Sequence, residues 1–120
     1  MQNKKWKISP ALSKSKKPLN RRKSGINDFI KACHRIAKEK GWWETQRNDG
    51  ELIALMHSEL SEALEAMRNH AGGEAIAEEL ADCCIRIFDY CGAKGIDLEK
   101  ELIKKIEYNK TRPYRHGKKF

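Results

Sequence analysis

No stretch of the 120-residue chain approaches the roughly 18 consecutive apolar residues of a membrane-spanning helix. A helical membrane protein is excluded and a soluble one is expected. No apolar segment follows the basic N-terminus as in a secretory leader, so the cytoplasm is the expected location. The four cysteines, Cys33, Cys83, Cys84 and Cys91, form no C-x-x-C pair. That argues against a zinc site or a disulfide framework and for reduced thiols acting as small hydrophobes. No alternating apolar run is long enough for a strand. Acids are missing from residues 1–24, which carry nine Lys/Arg, four serines, Pro10 and Pro18.

The acids are concentrated elsewhere. The chain's formal charge is +8, but without residues 1–24 it keeps 16 basic and 17 acidic residues, a net of −1. Residues 44–82 hold ten acids against two arginines, and residues 104–120 hold seven Lys/Arg against Glu107. An acidic middle followed by a basic end suggests a cation site beside an anion-binding segment. Residues 1–24 read as a flexible basic extension, with nucleic-acid contact as the sharper alternative; Trp6 is a candidate to pack back on the body. Residues 25–120 read as the folded domain.

Hydrophobic residues make up 39% of the chain and cluster periodically, which separates it from a disordered composition despite 35% charged residues. Ile26, Phe29, Ile30, Cys33 and Ile36 follow helical spacing and predict a first helix from about 26 to 40, stopped by Gly41. A second is expected from Asp49 or Gly50 to about His70, a third from Glu74 to Lys94 with Gly95 closing it, and a fourth capped by Asp97 and reaching Asn109. Pro113 bars regular helix beyond it. The expected fold is all-α: an antiparallel bundle of about four helices. The second and third helices are apolar over wide arcs, which predicts completion by a homodimer.

The second helix carries Glu59, Glu62 and Glu65 three apart, so neighbouring pairs share a side. Ile53, Met56, Leu60, Leu64 and Met67 form its main apolar stripe. Glu59 falls just beside that stripe, with Leu52, Leu55 and Ala66 on its other flank; Glu62 is one step further round. Glu65 lies on a wet face with Ser58, Ser61 and Arg68. A carboxylate in apolar surroundings is costly unless compensated, and a hard cation compensates it. Glu79 and Asp82 are again three apart on the third helix, and an Asp82–Arg86 ion pair is the plainer reading there. Either pair alone also fits an ordinary solvated face. Antiparallel packing that gathers four carboxylates favours metal binding, because close anions repel one another.

The run His57-Ser58-Glu59-Leu60-Ser61-Glu62, then Glu78-Glu79-Leu80-Ala81-Asp82, with 16 residues between Glu62 and Glu79, resembles the E-x-x-E and E-x-x-D signature of the MazG-like nucleoside triphosphate pyrophosphohydrolases, in the all-alpha pyrophosphatase superfamily. Lys105 and Asn109 match that family's Lys-x-x-x-Asn, and the ending from Asn109 to Lys118 is similar as well. The resemblance spans residues 26–120 and leaves the extension out. It implies hydrolysis of a (deoxy)nucleoside triphosphate between the α and β phosphates, giving monophosphate and pyrophosphate. It implies Mg2+, with Mn2+ as a substitute, on Glu59, Glu62, Glu79 and Asp82, and a homodimer or a dimer of dimers.

On that reading Glu59 or Glu62 activates water. Lys105 stabilises phosphate charge and Asn109 positions an oxygen. Arg112, His116 and Lys118 close on the triphosphate. Trp43, with Trp42 beside it, stacks on the base. Two rival classes are a nucleic-acid binder acting through the basic extension and a structural helical dimer without chemistry.

Overall fold

The computed structural model describes residues 18–120, so Trp6 and most of the basic extension lie outside the described residues. Residues 18–23 are exposed; the backbone turns back on itself where Ser24 N–H donates to Asn20 C=O at 2.8 Å. The described residues form four α-helices and no strand: α1 Ile26–Glu39, α2 Asp49–Arg68, α3 Gly73–Lys94 and α4 Leu98–Lys110. The expected all-α antiparallel bundle is what they build. No helix among the described residues is long and apolar enough to cross a membrane.

Local chemistry sets the boundaries. Asn48 caps α2, its side-chain oxygen accepting from Gly50 N–H at 2.7 Å and from Glu51 N–H at 3.3 Å, so two otherwise orphaned donors are satisfied. Asp97 caps α4 through Lys100 N–H at 3.1 Å. Gly95 ends α3 at φ 69°, a left-handed conformation that glycine adopts without steric cost. After Pro113 only one short turn forms, at Tyr114–Gly117.

The central element is α3, which packs antiparallel against α1 on one side and α2 on the other. Between them lie Ile30, Ala32, Leu52, Met56, Ala63, Cys83 and Cys91. Ile30 has no exposed surface, which for a side chain of its size contributes about 2 kcal/mol. Lys94 Nζ ties the end of α3 to Asp49 at the start of α2, at 2.7 Å. Gly92 lies where α1 crosses α3, against the His34 side chain.

The predicted apolar stripe of α2 is not its buried face. Leu52, Met56, Glu59 and Ala63 face α3, whereas Ile53, Leu60, Leu64 and Met67 are exposed. Both sets keep helical spacing; the buried one contains the glutamate. The fourth helix is also less integrated than a four-helix core requires. It meets chiefly α1, through its first turn: Glu99 accepts from Ile26 N–H at 2.9 Å, and Asn27 donates its side-chain amide to Asp97 at 2.9 Å. Leu102, Ile103 and Ile106 remain exposed.

Candidate metal centre

Because Glu59 sits on the buried line of α2, its carboxylate projects onto α3 and is only 6% exposed. There it meets Glu79 and Asp82. One oxygen from each of the three lies within 4.8 Å of the others, close enough to share a single cation. Glu79 and Asp82 are half-buried. The donors are all hard carboxylate oxygens, which suits magnesium, calcium or manganese better than a soft metal. Opposite ligands of octahedral magnesium stand about 4.2 Å apart, so small side-chain movements bring this set onto an ion.

The fourth expected ligand, Glu62, is exposed and stands beside the triad. A hydrogen bond with Glu59, and the charges of Glu59 and Glu79, hold its carboxyl above the ordinary range. Glu59 is displaced the other way, chiefly by its hydrogen bond with Arg86 and then by Glu62. The two neighbours are thus displaced in opposite directions. Arg86 corrects an expectation: its guanidinium reaches across the helix interface to Glu59 in a direct ion pair rather than back to Asp82. The cost of burying Glu59 is thus met by an arginine from α3.

Two of the triad, Glu59 and Asp82, line a cleft of about 440 Å³ between α1 and α3. Arg86, Trp42 and Arg47 share its lining, with Ile36, Lys40 and Ile85 among the wall residues. Trp42 is 61% exposed. Trp43, the expected stacking residue, is turned inward: its Nε1–H donates to Asp89 at 2.9 Å and its ring stands edge-on to His34. The Arg47 guanidinium lies over both indoles, 5.7 Å from Trp42 and 5.1 Å from Trp43, and 4.0 Å from Asp89. Asp89 also pairs with His34 Nδ1 at 2.8 Å. One aspartate thus pins the α1–α2 connection to α3 and itself lines the cleft.

Sequence reasoning missed Arg47, Arg86 and Asp89 as cleft residues. Asp89 did carry a signal, as the lone acid in the otherwise apolar run Ile87-Phe88-Asp89-Tyr90-Cys91. The expected substrate contacts on the last helix and beyond are not gathered here. Lys105, Asn109, His116 and Lys118 are exposed and Arg112 is half-buried. Lys105 and Arg112 instead lie over the Tyr108 ring, at 4.7 and 5.7 Å. Compared with protein-family models, curated proteins and solved structures, the chain matches none.

Proposed function

We propose that the protein is a Mg2+-dependent hydrolase that cleaves nucleoside triphosphates to monophosphate and pyrophosphate. The observation that carries this reading is one cleft lined both by two carboxylates of the triad, Glu59 and Asp82, and by an exposed tryptophan beside an arginine. Such a lining suits a molecule that carries both metal-chelating phosphates and a flat ring. The MazG-like spacing of the same carboxylates supports it independently.

Glu59, Glu79 and Asp82 would hold the ion, which supplies neutralisation of phosphate charge and polarises a water. Glu62, outside the triad and beside Glu59 and Glu79, would take a proton from the attacking water as its oxygen bonds to the α-phosphorus. The bond from that phosphorus to the bridging oxygen breaks, and pyrophosphate leaves. Trp42 supplies a face for the base, the role expected of Trp43. Mn2+ substitutes for Mg2+ because it accepts the same oxygen donors.

Lys105, Asn109, Arg112, His116 and Lys118 enter this reading through assembly. The exposed residues Ile53, Leu60, Leu64 and Met67 of α2, and Leu102, Ile103 and Ile106 of α4, are the surfaces a second copy would cover. The dimer, or dimer of dimers, brings a basic C-terminal segment to an acidic centre.

The test is incubation with a panel of ribo- and deoxynucleoside triphosphates, with and without Mg2+, identifying the phosphate products. Monophosphate plus pyrophosphate is expected, lost without metal and in Glu59→Gln and Asp82→Asn. Absence of hydrolysis by folded, Mg2+-loaded protein with every nucleotide would refute the activity.

A further inference from the structure

Arg86 has two acidic groups within reach, Asp82 one turn back on its own helix and Glu59 across the interface, and it takes the one that belongs to the triad and is nearly buried. A cation shared by Glu59, Glu79 and Asp82 would have to occupy space next to this guanidinium. Two positive charges that share one carboxylate repel each other. The triad as it stands is therefore already partly neutralised, by a side chain rather than an ion.

Arg86 is not enclosed at Glu59. Its side chain is 35% exposed and lines the same cleft. The other arginine of that cleft is committed, stacked on Trp42 and Trp43 and drawn to Asp89. A guanidinium released from Glu59 would face the space beside the triad with Lys40 as the other unstacked cation of the wall. Its forked donors suit phosphate oxygens.

We propose that Arg86 is the resident counter-cation of the carboxylate triad, exchanged for a divalent ion when one binds, and that its released guanidinium then binds the phosphate of the ligand in the cleft. The inference rests on the metal-site reading above. It makes metal and anion binding successive uses of one side chain. It also gives the variant a signature of opposite signs. Removing Arg86 deletes the metal's competitor but also deletes the anion's partner. A purely structural arginine would weaken both.

The experiment uses the full chain, as wild type and Arg86→Gln. Mn2+ binding is followed by electron paramagnetic resonance. Inorganic pyrophosphate binding is followed by calorimetry at one fixed, saturating free Mg2+, so that complexation in solution is common to both proteins. Arg86→Gln is expected to bind Mn2+ roughly tenfold tighter and pyrophosphate roughly tenfold weaker, the size of one charge-assisted hydrogen bond. If Arg86→Gln does not fold, Arg86→Lys keeps the charge without the fork and is expected to weaken pyrophosphate binding while shifting Mn2+ affinity less. Unchanged affinities, or both moving in one direction, overturn the exchange while leaving the metal site standing. No Mn2+ bound by any of the proteins overturns the metal site and the exchange together.

Discussion

Replacing Gly92 by alanine sets two known effects against each other at one atom. In an ordinary helix interior the change stabilises by about 1 kcal/mol, because alanine has less backbone freedom to lose. At Gly92 the added Cβ would lie 2.5 Å from His34 Cβ and 2.9 Å from its Cγ. His34 Cβ is fixed to the α1 backbone and cannot rotate away, so the helices must separate. Overpacking of this kind costs about 2 kcal/mol, leaving a net loss of about 1 kcal/mol. For a domain of this size that lowers the melting temperature by about 4–8 °C. Thermal melts followed by circular dichroism measure it, with Gly73→Ala as control: nothing lies within 4 Å of a Cβ there, and a small gain is expected. The damage should also reach the cleft, since moving His34 disturbs its contact with Asp89. A Gly92→Ala protein melting at or above wild type would show that α1 and α3 do not cross as closely as described.

Three further outcomes are expected. Trp42→Ala should fold normally and bind nucleotide about tenfold more weakly, whereas Trp43→Ala should lose about 2 kcal/mol of stability with its Asp89 hydrogen bond and His34 contact; the reverse pattern in paired binding and denaturation assays would reassign the two. The pH dependence should carry two opposed arms. Glu59, held low by Arg86, contributes stability above the ordinary carboxylate pKa that is lost as pH falls through its depressed value. Glu62, held high, favours the fold below that ordinary value and loses this contribution as pH rises through its raised one. Glu62→Gln should abolish the second arm and leave the first standing but smaller, since Arg86 chiefly sets it, and urea midpoints that overlay wild type across the acid range would contradict the split. Brief alkylation of the native protein should mark exposed Cys84 before buried Cys83 and Cys91, whose thiols burial pushes up, Cys91 to about 11; peptide mapping that finds Cys91 modified first would place it outside the core.

The helices were legible because their ends are written locally. Gly41, Gly95 and Asp97 act within a turn of themselves, and the α2 start needed only Asn48 and its two amide neighbours. The buried face of α2 was not legible. Hydrophobicity ranks Ile53, Leu60, Leu64 and Met67 above Leu52, Met56, Glu59 and Ala63, yet which stripe α3 covers depends on the partner's shape. The approach of Glu59 to Glu79 and Asp82 was readable from spacing, since antiparallel helices bring them opposite one another, but the expected set of four included Glu62. Arg86's choice of Glu59 over Asp82 was not, because sequence separation favours the near partner while the interface presents the more buried charge. Nor does any local signal tell that α4 docks by one end alone.

A helix anchored at one end has consequences for how the molecule breathes. Backbone amides of α3, shielded on two sides by α1 and α2, should exchange with solvent deuterium only through near-global opening, whereas those toward the free end of α4 should exchange through local fraying. The same looseness makes α4 cheap to recruit. A neighbouring molecule that docks on Leu102, Ile103 and Ile106 breaks none of the contacts that hold the first turn to α1, so association can proceed by addition, without prior unfolding and without trading one set of contacts for another.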